Sequence, residues 1–212
     1  MGLGARRVAG IFVGGASRRM GGKPKGWLPS PGDGAVSVIE RTIAVARAEC
    51  DDVVLVGRAD AYARLGLAAI ADAVPASGER AEGPLGGLVG LLESEGDAVV
   101  VALACDMPYL TRALLARLLA FDREAVAVAP REGGDTGATV WSPLFARYHA
   151  AHAAPVARAI LDAGERSLRA VLASLSTSEL PLSSEERRSL RDWDSPTDID
   201  APDRNDQTRT PS

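Results

Sequence analysis

The sequence predicts an α/β fold with a mostly parallel central sheet covered by helices on both faces. Three observations predict it. Short segments that are apolar throughout, such as "VAGIFV" (8–13) and "VVVALA" (99–104), read as strands buried on both faces. Between such segments lie stretches with apolar residues at steps of three and four, the period of a helix. Finally, 46% of the 212 residues are apolar, enough for one sizeable core.

Each element follows in order. Residues 8–13 form the first strand. Two arginines precede it and mimic a secretory leader, but the apolar part spans only about six residues before glycines and arginines resume. "GAVSVIERTIAVARAEC" (34–50) carries Val36, Ile39, Ile43, Ala46 and Cys50 at helical steps. "DDVVLVG" (51–57) is the second strand, "YARLG" (62–66) a short helix closed by Gly66, and "LAAIAD" (67–72) a third strand ending at Asp72. A surface loop runs from Pro75 to Gly83. "PLGGLVGLLESE" (84–95) opens with proline at a first helical position and sets Leu85, Leu88, Val89 and Leu92 on one face.

The strongest strand of the chain runs into Asp106 in "DAVVVALACDMPYL" (97–110). "TRALLARLLAF" (111–121) is a helix with Thr111 as its N-cap. "EAVAVAP" (124–130) and "TGATVW" (136–141) are two further strands. Residues 142–173 read as mostly helical, broken around Pro155 and at Gly164, and a short helical turn follows "LSTSELPL" (175–182). Residues 1–200 are expected to form a single domain, with 201–212 a polar, disordered tail.

Composition bounds the partners. The chain has no run of eighteen apolar residues, so no membrane span is expected. A net charge of −4 argues against a general nucleic-acid binder. Cys50 and Cys105 are far apart and share no metal spacing, so both read as reduced thiols of a cytoplasmic protein. His149 and His152 stand three apart, but no further ligand type clusters with them. Trp27, Trp141 and Trp193 read as packing residues, although Trp27, beside Lys25, has the position to flank a base.

Against this acidic background "GGASRRMGGKPK" (14–25) places Arg18, Arg19, Lys23 and Lys25 within eight residues. It reads as a solvated loop or as a cradle for a small polyanion. Neither common nucleotide fingerprint fits. Gly22-Lys23 is followed by Pro24 where a P-loop needs Ser or Thr, and Ser17 stands where it needs its first glycine. What the loop offers is close backbone approach at Gly14, Gly15, Gly21 and Gly22, an arginine fork for phosphate oxygens, and the compact charge of a lysine. Such a set suits a nucleoside triphosphate whose β- and γ-phosphates leave together. Asp106, at the end of a buried strand, reads as a hard oxygen ligand for Mg²⁺ or as a cap for the helix near Thr111. "DWDSPTD" (192–198) reads as a solvated turn or as a second carboxylate cluster.

Four segments together resemble the MobA-like nucleotidyltransferases. "VGGASRRMGGKPKGWL" is similar to that family's glycine- and arginine-rich signature, "AEGPLGGLVGLL" to its G-P-L-x-G segment, "ACDMPYL" to its C-D-x-P-x-L, and "DWDSPTDID" to its closing stretch. They occur in the family's order and span roughly residues 8–200. The resemblance implies a Rossmann-like, three-layer nucleotidyltransferase fold and transfer of GMP from GTP to molybdopterin, with Mg²⁺ as cofactor and release of pyrophosphate. Molybdoenzymes or other cofactor-biosynthesis proteins would be the partners. Transfer of CMP to the same pterin, or of a nucleotide to another small phosphorylated acceptor, is the alternative.

Carried over by position, Phe12, Val13, Gly14 and Gly15 would lie along the nucleotide. Lys25 and Arg19 would hold phosphates, Asp72 would sit near the base or ribose, and Asp106 would hold the metal. Asp192 and Asp194 would face the pterin, with Asp194 also near the metal. Three departures stand out: Pro24 before the lysine, aspartates at 192 and 194 where the family has asparagines, and Thr136-Gly137 where relatives carry a His-Pro or Gln-Pro pair. The doubled glycines at 14–15 and 21–22 point by resemblance to guanine.

Overall fold

A computed structural model describes residues 5–13, 24–31, 33–78, 83–133 and 139–191. The chain opens with strand β1 (Arg7–Phe12), a single 3-10 turn (Lys25–Trp27), and the short antiparallel pair β2 (Pro29–Ser30) and β3 (Asp33–Ser37). Helix α1 (Val38–Arg47), β4 (Asp52–Val56), a 3-10 helix (Asp60–Leu65) and β5 (Ala69–Ile70) follow. Next come α2 (Pro84–Glu95), β6 (Val99–Ala104), α3 (Arg112–Ala120) and β7 (Ala127–Ala129). A separate two-stranded ribbon of β8 (Arg131–Gly133) and β9 (Thr139–Trp141) leads into β10 (Phe145–His149) and α4 (Ala150–Asp162). The last elements are α5 (Leu168–Ser174), β11 (Thr177–Glu179) and α6 (Ser184–Ser189).

Seven strands make one sheet in the order β11-β7-β10-β6-β1-β4-β5. All its pairings are parallel except those of β10, which runs antiparallel to both β6 and β7. Alternation along β1 sends Ala9 and Ile11 into a core shared with α1 and α3, and Phe12 into a second core shared with α2, α4 and α5. The sheet is therefore the middle of three layers, as the apolar strands predict.

Local chemistry sets the boundaries. Ser37 caps α1, accepting from the Glu40 N–H while the Glu40 carboxylate accepts from the Ser37 N–H at 2.9 Å. Donation from the Ser37 hydroxyl, and then from the Ser37 N–H, holds the Glu40 carboxyl below its usual range. Residues 34–37, read from periodicity as the start of this helix, instead belong to β3, which pairs with β2. Thr111 caps α3 as expected, accepting from Leu114 N–H at 3.2 Å. "LAAIAD" shortens to the two-residue edge strand β5.

The largest departure lies in 142–173. The expected helix contains β10, and the reason is Arg147 in the middle of "FARYH". This arginine is 1% exposed, which breaks the apolar pattern that marks a buried strand. Its guanidinium donates to the carbonyls of Asp122 at 2.7 Å and Ala125 at 3.2 Å, and burial pushes its pKa down. Helix α4 also runs through Pro155, because Ala153, Ala157 and Leu161 are fully buried in the core shared with α2. That packing outweighs the one backbone bond a proline removes. The break at Gly164 is present, with φ at +85°. The strand β8 was not anticipated.

Helix α2 approaches the sheet edge through glycines. A Cβ on Gly90 would lie 2.4 Å from the Ala71 carbonyl oxygen, a backbone atom that cannot step aside. Gly90→Ala is therefore expected to destabilise the fold by about 1–3 kcal/mol. Urea or thermal unfolding would test this; a midpoint equal to wild type would remove the close-approach argument.

Candidate active site

The sheet reverses its strand order at β1, with β4 and β5 to one side, β6 to the other, and all four parallel. Such a reversal opens a crevice outside the carboxyl ends of the strands. Asp106 reaches it from the turn that follows β6. Lys25 reaches it from the 3-10 turn, whose entry is set by Pro24 at φ −63°, with the Pro24 carbonyl accepting from Trp27 N–H at 3.1 Å. The proline that seemed out of place in a phosphate loop is thus a fitting residue before a helical turn, where its missing N–H costs nothing.

Lys25 Nζ stands 3.2 Å from Asp106 Oδ2, each side chain 18% exposed. Two partly desolvated charges, 81 residues apart in sequence, neutralise each other. Thr111 takes the capping role for α3, so the reading of Asp106 as that helix's cap falls away. A cavity of about 690 Å³ surrounds the pair, a volume suited to a small-molecule site. Phe12 and Val13 line it beside Lys25 and Asp106, and Glu132 and Arg166 line it from farther along the chain.

Asp72 is exposed, at the end of the edge strand, and is not among the residues lining that cavity. It nevertheless approaches Phe12 across α2. A Cβ on Gly87 would fall 3.1 Å from Asp72 Oδ1 and 3.3 Å from Phe12 Cε1. Gly14, Gly15, Arg18, Arg19, Lys23, Thr136-Gly137, Asp192, Trp193 and Asp194 lie outside the described residues, as does the 201–212 tail. Trp27 is a packing residue. Its indole donates to the Ala61 carbonyl at 2.8 Å, its ring meets Tyr62 at 5.2 Å, and the Arg64 guanidinium covers it at 3.6 Å. His149 and His152 have rings 6.4 Å apart, but His149 Nε2 contacts the Arg123 carbonyl and the Arg147 guanidinium.

Among the described residues no group of three or more His, Cys, Asp or Glu is placed to hold a metal ion. Mg²⁺ does not demand one, since it retains waters and is bound through one or two carboxylates plus substrate phosphates. Asp106, a carboxylate beside Lys25 in a cavity open to ligand, fits that role.

The far wall escaped the sequence reading. Ser142 Oγ donates to Glu132 at 2.8 Å, and Arg169 Nε donates to the Trp141 carbonyl at 3.2 Å. The Glu165 carboxylate accepts from the N–H groups of Arg166 and Ser167 at 2.7 and 3.0 Å, shaping the bend that presents Arg166. The visible signal was "GERS" at 164–167, a polar break between two helices. A second overlooked signal is that only Lys23 and Lys25 are lysines among the 24 Lys and Arg residues of the chain.

A mostly parallel α/β sheet with a cation–carboxylate pair in its switch-point crevice defines a class: α/β proteins that take their ligand at the carboxyl edge of the sheet. The chain belongs to the MobA-like NTP transferase domain family, whose model matches residues 9–179. It is 32% identical over 191 residues to the molybdenum cofactor guanylyltransferase of Pseudomonas putida, covering 88% of this chain and 92% of the relative. It is 30% identical over 169 residues to the probable molybdenum cofactor guanylyltransferase of Chloroflexus aggregans, covering 79% and 77%. In fold it resembles the molybdopterin-guanine dinucleotide biosynthesis protein A of Archaeoglobus fulgidus, with a TM-score of 0.69 at 22% identity over 92% of this chain and 95% of that one. The 2-C-methyl-D-erythritol 4-phosphate cytidylyltransferase of Thermus thermophilus shares the fold at a TM-score of 0.62 and 15% identity, over 90% and 94%. No helix among the described residues is long and apolar enough to cross a membrane.

Both thiols are unpaired in disulfides. Burial pushes the Cys105 thiol from its ordinary 9.0 to about 12, and burial does the same to Cys50. A rise of that size lowers the thiolate fraction at pH 8 by about a thousandfold. Iodoacetamide at pH 8 is therefore expected to label both cysteines far more slowly in the folded chain than in 6 M guanidinium. Equal rates in the two states, read by mass spectrometry, would contradict the burial argument.

Proposed function

We propose that the chain transfers GMP from GTP to molybdopterin and releases pyrophosphate. The observation that carries this reading is the Lys25–Asp106 pair in the crevice of a chain whose relatives are named molybdenum cofactor guanylyltransferases. A terminal phosphate oxygen of the pterin attacks the α-phosphorus of GTP in line. A new P–O bond forms as the bond to the bridging α–β oxygen breaks, and pyrophosphate departs with that electron pair. The nucleophile is already anionic, so no covalent enzyme intermediate is required. The task of the protein is positioning and charge neutralisation.

In this reading Phe12, Val13, Gly14 and Gly15 flank the nucleotide, and Asp72 lies toward the base or ribose. Lys25 and Arg19 hold the departing pyrophosphate. Asp106, with Asp194, would hold Mg²⁺, which when bound supplies neutralisation of phosphate oxygens. Asp192 and Asp194 face the acceptor. Arrival of the triphosphate exchanges partners: Lys25 leaves Asp106 for phosphate, and the carboxylate becomes available. Residues 1–200 act as one domain with 201–212 as a tail, the protein works in the cytoplasm, and molybdoenzymes or other cofactor-biosynthesis proteins receive its product.

Use of lysine where arginine serves almost everywhere else supports a need for a compact point charge on the leaving group. Lys25→Ala is expected to lower kcat by about 10²–10³-fold while the melting temperature holds. Lys25→Arg, which keeps the charge, is expected not to restore wild-type turnover. The measurement is pyrophosphate release from GTP and from CTP, with and without molybdopterin. Near-normal turnover of Lys25→Ala would remove the phosphate role. Release from CTP in preference to GTP would replace guanylyl by cytidylyl transfer.

A further inference from the structure

We propose that Glu132 determines acceptor specificity, its carboxylate accepting from the ring N–H and adjacent amino group of the pterin's aminopyrimidinone; this rests on the nucleotidyl-transfer reading above. Glu132 lines the same cavity as Lys25 and Asp106. A carboxylate in a wall that must receive phosphates repels them, so it marks a place where the ligand offers donors instead. Neighbouring cations are engaged elsewhere. The Arg131 guanidinium lies 4.2 Å from the centre of the Trp141 ring and 3.9 Å from Glu179, and Arg169 donates to the Trp141 carbonyl. Among the described residues the Glu132 carboxylate accepts only from the Ser142 hydroxyl, at 2.8 Å on Oε2. That bond fixes one oxygen and leaves Oε1 for a ligand.

The carboxylate sits on a well-tied mount. Arg131 pairs with Trp141 across the ribbon and stacks on its ring, so alternation turns Glu132 to the other face. The Ser142 N–H donates to the Pro130 carbonyl at 3.0 Å, and the Ala104 N–H to the Leu144 carbonyl at 3.0 Å. The second of these bonds joins the base of the ribbon to the end of β6, just before Asp106. Strand order then decides which substrate Glu132 meets. From the central strands β1 and β6 the sheet continues through β4 and β5 toward Asp72 on one side, and through β10 and β7 toward Glu132 on the other. With the nucleotide lying toward Asp72, as proposed above, Glu132 faces the acceptor. Guanine carries the same donor edge as a pterin, so the experiment must separate the two sources.

The test uses the full chain, with fluorescence titration of hydroxymethylpterin phosphate and of its lumazine counterpart, in which oxygen replaces the amino group. Wild type is expected to bind the pterin at least about tenfold more tightly than the lumazine. Glu132→Gln keeps a carbonyl for Ser142 but sets an amino group where an acceptor is needed. It is therefore expected to weaken pterin binding at least about tenfold and to bring the two affinities within about twofold of each other. In pyrophosphate release the same variant should raise KM for molybdopterin by about that factor, with KM for GTP within about twofold of wild type. ITP, which lacks the amino group of guanine, tests the other source, and the ratio of KM for ITP to KM for GTP should match wild type. Loss of that ratio in place of the pterin preference overturns the proposal and assigns the carboxylate to guanine. Equal binding of the two pteridines by wild type, no saturable pterin binding below about 1 mM, or an unchanged preference in Glu132→Gln overturns it as well. If wild type releases no pyrophosphate from GTP, the guanylyl reading fails, and the pteridine titration still decides the role of Glu132. If Glu132→Gln does not fold, Ser142→Ala decides, since it frees the carboxylate to turn. A fall of about threefold in the pterin preference supports the proposal there, and a wild-type preference overturns it.

Discussion

Strand β1 is hydrogen-bonded on both sides to strands that run the same way, β4 and β6, and much of the molecule follows from that constraint. A backbone paired on both edges and buried on both faces has no room for polar side chains, which accounts for the apolar run from Val8 to Phe12. Parallel neighbours cannot be joined by a tight hairpin, so each connection must cross over the sheet, and α1 and α2 cover opposite faces as a result. The two strands beside β1 leave their carboxyl ends at the same edge. Residues 81 positions apart can therefore meet there, and the charges of Lys25 and Asp106 do.

What each cation does elsewhere clarifies what Lys25 is for. Arg158 forms a two-bond fork to Glu93, with both contacts at 2.8 Å, and Arg6 joins Asp52 and Glu95. Arg147 is buried as a hub for backbone carbonyls. These are tasks for a planar guanidinium with several fixed donors. Exposed pairs among them add little to stability, since water and salt screen them. The Lys25–Asp106 pair is different in both chemistry and setting. A single amine facing a single carboxylate in a cavity can change partners without dismantling a fork. A site that must accept and release a polyanion favours that property over a rigid one.

The parts of the fold legible in the sequence were those decided locally. Apolar runs marked β1, β4 and β6, Thr111 marked the start of α3, and Pro84 marked the start of α2. Lys25 and Asp106 stood out because a cation and a carboxylate followed two of those strands. What stayed hidden was decided by distant partners. Arg147 disguised β10, since its guanidinium donates to carbonyls of the loop at Asp122 and Ala125, which the strand's own residues do not announce. The α4 proline looked like a break because only packing against α2 shows why the helix continues. Glu132 and Arg166 reach the cavity through the ribbon and the α4–α5 bend, and no spacing in the sequence reveals that convergence. Pro24 is the instructive middle case: its residue type was odd for a phosphate loop, and right for the entry of the turn that follows.

The ligand-free pairing also bears on how an acidic chain can receive a highly anionic substrate. With a net charge of −4, long-range attraction for a triphosphate must come from a local patch rather than from the molecule as a whole. An unpartnered Asp106 at the floor of the crevice would oppose that attraction, and an unpartnered lysine there would carry its own desolvation cost. Together they present a near-neutral floor, while the arginine-rich segment between β1 and the 3-10 turn adds positive charge in sequence just before it.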